Sequence, residues 1–229
     1  MKSGPDFDAV IGQGAALQQH LGSEGLVAVG GTAVALHCGH RYSLDVDCVT
    51  PRLRQNYADV LLQLESWEGW RTNRRNPPVL ILGEREGVEL GIRQLRHRDA
   101  LDTELARGLR IPTAPEALRI KAYLLAERRA TRDYLDVAAL VDLLGLEAAT
   151  RALTPLPEVY PRLGQQTAAT AFAEACEAEP VDLRQVDLAG YRGLRAPFRD
   201  WAYVAEAVRR LGRALIKWEL NVGPPPHTP

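Results

Sequence analysis

Residues 26–49 read LVAVGGTAVALHCGHRYSLDVDCV, and the succession of patterns within them sets the architecture of the first half of the chain. Leu26 to Val29 is a short apolar run bounded by glycines, the mark of a buried strand. Gly30-Gly31-Thr32 then opens Ala33 to His37, too short and alanine-rich for a strand of its own and readable as a helix. Leu44 to Val49 alternates apolar and acidic residues with period two. Asp45 and Asp47 therefore project from one face of a second strand, with Cα atoms roughly 6.5 to 7 Å apart. Thirteen residues, Thr32 to Leu44, separate Gly31 from Asp45, enough for one short helix, a turn and a return into a neighbouring strand.

Working outward, Phe7, Val10, Ile11, Leu17 and Leu21 recur at three- and four-residue steps and predict an amphipathic opening helix. Downstream, Pro51 stops the acidic strand, residues 52–65 look helical, and Val79 to Leu82 forms a further strand. A turn over Gly83 to Gly87 returns the chain antiparallel into Val88 to Ile92. The expected first unit, residues 1–110, is thus α/β (α+β) with a mixed sheet. Beyond Ile111-Pro112 the strand-like runs cease, and Ala114-Pro115-Glu116 starts a helical unit expected to span residues 111–220. Gly145 ends one helix of this unit, and a boundary falls in the Pro-rich piece from Pro155 to Pro161. A last helix runs from Pro197 to about Leu220, ahead of a tail, residues 221–229, expected to be disordered.

The chain has 229 residues, of which 46% are hydrophobic and 25% charged, a composition that excludes disordered and collagen-like classes. No apolar run approaches the roughly 18 residues of a spanning helix, and MKSGPDFDAV lacks the basic-then-apolar order of a signal peptide, so a cytoplasmic protein without a membrane partner is expected. Cys38, Cys48 and Cys176 form no CxxC pair and should be reduced, mostly buried thiols. The 28 basic residues nearly cancel the 29 acidic ones, so net charge implies no polyanionic partner. Only Lys2, Lys121 and Lys217 of those 28 are lysines, which makes an interior lysine such as Lys121 stand out as a compact point charge. From Tyr191 to Lys217, seven basic residues face only Asp200 and Glu206. That segment is either an RNA-facing helix or a solvated face paired with the acidic stretch from 174 to 187.

Two features carry possible chemistry. Asp45 and Asp47 are hard oxygen ligands that would repel each other unless a cation or open solvent separates them; they suit magnesium, or else mark an edge strand with a wet polar face. Gly30-Gly31-Thr32 lies between a strand and a helix N-terminus, where backbone amides favour a phosphate. It is otherwise a tight turn with Thr32 as the helix N-cap.

The order Val29-Gly30-Gly31, thirteen residues, then Asp45-Val46-Asp47 resembles the signature of the polymerase-beta-like nucleotidyltransferases. The fuller wording GGTAVALHCGHRYSLDVDCVT is similar to the first motif of the AbiEii nucleotidyltransferase toxins of type IV toxin-antitoxin systems. PEALRIKAYLLAERRATRDYLDVAALVD, residues 115–142, resembles that family's helical motif, in which a lysine precedes an Arg-Asp and a further Asp lies three residues on.

The resemblance implies a concrete site. Asp45, Asp47 and a third carboxylate would hold one or two magnesium ions; Glu89 in Val88-Glu89-Leu90 fits best, a Glu where the superfamily more usually has Asp, and is otherwise a solvent-facing strand residue. Gly30, Gly31 and Thr32 would hold the nucleoside triphosphate, with Arg41 and Ser43 reaching phosphate or sugar, or else serving the turn. Lys121 matches the family's lysine; as a compact point charge it suits phosphate binding, the alternative being a chance surface lysine. Asp133 would orient Lys121, lie near the nucleotide or pair with Arg129, and Asp136 matches the motif's following Asp or else pairs with Arg132 on the helix surface. The implied activity is magnesium-dependent transfer of a nucleotide to an RNA hydroxyl, the tRNA 3′ end among them, or to a protein hydroxyl, with a winged-helix antitoxin as partner. The competing readings are an inactive nucleotide-binding scaffold of the same fold and an antibiotic nucleotidyltransferase.

Overall fold

The computed structural model describes residues 6–97 and 99–222, and the chain divides into two compact units between Thr113 and Ala114. In the first unit, Asp6 starts helix α1 (Phe7–His20) by accepting the Ala9 amide at 2.7 Å. Strand β1 (Val27–Val29) leads directly into helix α2 (Gly30–Cys38), and strand β2 (Asp45–Thr50) follows. Helix α3 (Leu53–Glu65) and strands β3 (Trp70–Asn76), β4 (Leu80–Arg85) and β5 (Val88–Gln94) complete the main sheet, whose order is β1-β2-β5-β4-β3. The sheet is mixed: β2 and β5 run parallel, and every other neighbouring pair is antiparallel.

The alternation read in Asp45 to Thr50 is what the sheet uses. Val46 and Cys48 are buried while Asp45 and Asp47 stay half-exposed. Val46, Cys48, Val88, Leu90, Ile92 and Ile81 join Val10 and Leu17 of α1 and Val60 and Leu64 of α3 in one core cluster. Each such side chain removed from water contributes about 1.5–3 kcal/mol. One face of the sheet is therefore committed to the core, and the opposite face carries the acidic residues. Burial, with the Asp47 charge beside it, drives the Cys48 thiol well above its ordinary pKa, and Cys38, Cys48 and Cys176 are all free thiols.

Three expectations are corrected here. The hairpin turn between β4 and β5 is Glu86-Gly87 alone, both residues at positive φ (51° and 78°), so Gly83 belongs to β4. Gly83 stands opposite Thr72, and the Trp70 ring occupies the place a Cβ would take, 2.2 Å from its nearest atom. Gly83→Ala is expected to lower stability by about 1–3 kcal/mol through this clash, read as a shift in the urea midpoint. Second, β3 is a full strand that periodicity does not reveal, because WRTNRRN lies at the sheet edge with no apolar face to bury. Third, a hairpin of β6 (Thr103–Ala106) and β7 (Leu109–Pro112) precedes the helical unit, turning at Arg107-Gly108 with φ of 53° and 80°.

The second unit is helical: α4 (Ala114–Arg128), α5 (Thr131–Leu144), α6 (Leu146–Leu153), α7 (Leu156–Val159), α8 (Ala168–Glu177) and α9 (Trp201–Val222). α5 is capped from outside, the Asp182 carboxylate accepting both the amide and the hydroxyl of Thr131 at 2.7 Å. α8 and α9 approach closely because Gly212 has no side chain; a Cβ there would lie 2.8 Å from that of Cys176. The last helix begins at Trp201 rather than Pro197 and continues through Val222. Residues 223–229 of the expected tail lie outside the described residues. None of the described helices is long and apolar enough to cross a membrane.

Candidate active site

The open face of the sheet collects the first-unit carboxylates. In the parallel β2–β5 pair, Asp45 is in register with Glu89 and Asp47 with Gly91. Directly paired residues share a face, so Asp45, Asp47 and Glu89 project together from two strands about 4.8 Å apart. β2 lies between β1 and β5, which removes the reading of the acidic pair as a wet edge strand.

Asp45 is fixed at both its backbone and its carboxylate. The Thr32 hydroxyl donates to the Asp45 carbonyl at 2.5 Å, and the Ser43 hydroxyl donates to Oδ1 at 2.8 Å. Thr32 is buried and lies inside α2, whose N-cap position is Val29, so the expectation of Thr32 as N-cap is corrected: its hydroxyl ties the helix to the acidic strand. The two glycines have separate reasons. Gly30 adopts φ +73°, a conformation side chains avoid, with open space where a Cβ would project. Gly31 is needed for packing: a Cβ there would stand 2.6 Å from a terminal nitrogen of Arg41 and 3.0 Å from Ser43 Oγ. The turn therefore brings Gly30, Gly31, Arg41, Ser43 and Asp45 into one cluster, with Arg41 and Ser43 buried.

Asp47 lies flat across the neighbouring strand. Its Oδ1 sits 2.2 Å from where a Cβ on Gly91 would be, and accepts from Arg93 Nε at 3.0 Å. Among the described residues, no three Asp, Glu, His or Cys side chains are drawn close enough to hold a metal ion, the Asp45, Asp47 and Glu89 set included. In donor type and register these residues fit a hard divalent cation. In side-chain arrangement Asp45 is bonded to Ser43 and Asp47 to Arg93.

In the helical unit, Lys121, Asp133 and Asp136 meet in the core. Lys121 Nζ lies 3.1 Å from Asp133 Oδ1 and 2.7 Å from Asp136 Oδ2, with Lys121 2% exposed and both carboxylates fully buried. Arg128 closes the group, its Nε and a terminal nitrogen donating to Asp133 at 2.7 and 2.9 Å. Of the alternatives for Asp133 the structure shows the contact with Lys121, joined by Arg128 in place of Arg129; Asp136 is a core residue bound to Lys121 rather than a surface partner of Arg132, and Lys121 is itself buried rather than a surface lysine. Spacing along α5 alone pointed to near neighbours, whereas the partners come from α4. Burial raises the pKa of Asp133, but the adjacent Lys121 and the bonds from Arg128 outweigh it and hold the carboxyl below its ordinary value.

Sequence reasoning passed over three arginines on the open face. Arg71 of β3 is paired with Glu84, which pairs in turn with Glu89, so a cross-strand row runs from Asp45 to Arg71. A second row links Asp47, Gly91, Leu82 and Arg74. Arg93 is the third. Only the arginine density of WRTNRRN signalled the first two, and without the sheet order it had no place. The basic segment near the C-terminus shows one of its alternatives directly: Arg213 of α9 donates two hydrogen bonds to the Glu177 carboxylate, at 2.7 and 3.1 Å.

No family model matches the sequence. Among solved structures, MenT4, a nucleotidyltransferase toxin of Mycobacterium tuberculosis H37Rv, superposes with a TM-score of 0.58 at 16% identity, covering 90% of this chain and 82% of that one. JHP933 from Helicobacter pylori superposes with a TM-score of 0.51 at 16% identity, covering 96% and 98%. The likeness establishes a nucleotidyltransferase fold. Among curated proteins, the heme uptake protein MmpL11 of Mycobacterium tuberculosis is 32% identical over 156 residues, 65% of this chain. The chain spans 14% of the length of that relative.

Proposed function

We propose that this chain, built on a nucleotidyltransferase fold, transfers a nucleotide from a nucleoside triphosphate to an RNA hydroxyl, and that it is an AbiEii-type toxin of a type IV toxin-antitoxin system. The observation that carries the reading is the register of Asp45 and Glu89 on parallel strands, with Asp47 on the same face and the Gly30-Gly31 turn tied to Asp45 through Thr32 and Ser43. Asp45, Asp47 and Glu89 would hold magnesium. When bound, the ion neutralises the triphosphate and polarises its α-phosphorus.

The chain's own groups supply the rest. The first amides of α2 and the Arg41 guanidinium meet the phosphates, and Ser43 keeps the Asp45 carboxylate oriented. The acceptor oxygen bonds to the α-phosphorus while the bond from that phosphorus to the bridging oxygen breaks, and pyrophosphate leaves with the electron pair. Where Glu89 is not tied up by the metal, its exposed carboxylate takes the hydroxyl proton. Arg71, which also bonds Glu84, and Arg74 lie three strand spacings or about 14 Å from Asp45 and Asp47 and two, about 10 Å, from Glu89; they suit the phosphates of a polynucleotide acceptor and favour RNA over a protein. Lys121, Asp133 and Asp136 form a buried group within the helical unit, and contact of the Lys121 ammonium with a phosphate would require it to leave its two carboxylate partners.

The test is incubation with α-labelled triphosphates, magnesium and total RNA. Label on RNA, lost in Asp47→Asn, supports the reading. Tight triphosphate binding without transfer would make the chain a nucleotide-binding scaffold, and label on an aminoglycoside would make it an antibiotic nucleotidyltransferase. Growth arrest on expression, relieved by a co-encoded winged-helix protein, tests the toxin assignment.

A further inference from the structure

We infer that Arg93 serves the site in two successive ways: it holds Asp47 as an internal counter-cation, and on yielding that carboxylate to a divalent cation it contacts the phosphates of the triphosphate. The inference rests on the nucleotidyl-transfer reading above. Arg93 stands on β5 two residues past Gly91, on the face that carries Glu89, and bonds Asp47 through Nε at 3.0 Å. Both partners are partly open to solvent, 44% for Arg93 and 32% for Asp47. An ion pair this exposed contributes little to stability and exchanges readily.

The seat beneath it is nevertheless specific. Asp47 reaches Arg93 only by lying over the α-carbon of residue 91, where a Cβ would be 2.2 Å from Oδ1. Any side chain at that position would lift the carboxylate away. Glycine in the middle of a strand is unfavourable for the sheet; here it makes room for the Asp47 carboxylate first and for Leu82 Cδ2, 3.0 Å from a Cβ, second. Once a divalent cation takes the Asp47 oxygen, the guanidinium keeps its charge and its donor fork on the same face, two residues along the strand from the row containing Asp47. A polyphosphate is the ligand such a fork recognises.

The two roles give effects of opposite sign. In Arg93→Gln, Mn2+ binding without nucleotide, followed by electron paramagnetic resonance, should tighten several-fold, because the competing cation is gone. Binding of a non-hydrolysable triphosphate analogue with magnesium should weaken about tenfold. Gly91→Ala separates the roles: it displaces Asp47 while keeping Arg93, so Mn2+ should bind more tightly than in wild type with no loss of analogue affinity. Unchanged thermal melting shows that both variants are folded, and a fold loss in Gly91→Ala leaves Arg93→Gln to decide. Unchanged Mn2+ or analogue affinity in Arg93→Gln overturns the inference alone, whereas a wild-type protein that binds neither Mn2+ nor analogue overturns the functional reading with it.

Discussion

Asp45→Asn lowers nucleotidyl transfer by roughly a hundredfold to a thousandfold while leaving the fold intact. The substitution keeps the shape of the side chain and an oxygen to accept from Ser43, and the bond from Thr32 goes to the backbone carbonyl, which is unchanged. What it removes is one negative charge from a three-carboxylate face. A metal held there is worth several kcal/mol of charge stabilisation in the transition state, and each 1.36 kcal/mol is about tenfold in rate. The check is the initial rate of label transfer beside a thermal melt. A variant that melts like wild type and transfers at the wild-type rate would remove Asp45 from the site.

The largest effect on stability belongs to the helical unit. Asp136→Ala should lower the unfolding free energy by about 3–5 kcal/mol, because it leaves the buried Lys121 ammonium with Asp133 alone, a carboxylate already shared with Arg128. Lys121→Met should cost a comparable amount by taking away the cation that the buried Asp136 carboxylate is bound to. The double variant Lys121→Met/Asp136→Ala removes both members of the pair and should cost less than the two single losses together. Chemical denaturation of the four proteins reads the coupling; additive losses would show that the two groups do not act as a pair. Asp133 adds a pH signature. Its folded pKa lies below the unfolded value near 3.9, so its contribution is complete above that value and is lost as pH falls through the lowered folded pKa. Asp133→Asn should flatten the acid limb of the stability curve.

These two sites differ in how far the residue order reveals them. The acidic pair was legible because alternation on a strand is a local property: whichever strands become neighbours, Asp45 and Asp47 share a face and Val46 and Cys48 turn to the core. The Gly-Gly turn was legible for the same reason, since strand, turn and helix are contiguous. Even there the chemistry needed the tertiary structure, which shows that Gly31 makes room for Arg41 and that Thr32 serves Asp45. Lys121 stood out by composition alone, whereas only the family resemblance pointed to Asp133 as its partner and did not point to Asp136, because the contact joins one helix to the next and i,i+3 or i,i+4 spacing names only neighbours within a helix.

The sequence by itself determined the mixed α/β character of the first half, its change to helices after Pro112, and the candidate identities of the three carboxylates. Tertiary structure decided what residue spacing cannot encode. The parallel pairing of β2 with β5 brings Glu89 level with Asp45, and the empty α-carbon of Gly91 lets Asp47 reach Arg93. The polar β3 becomes a strand because an edge needs only one partner and no buried face. Local patterns fix which way a side chain points; only the register between distant segments fixes what it meets.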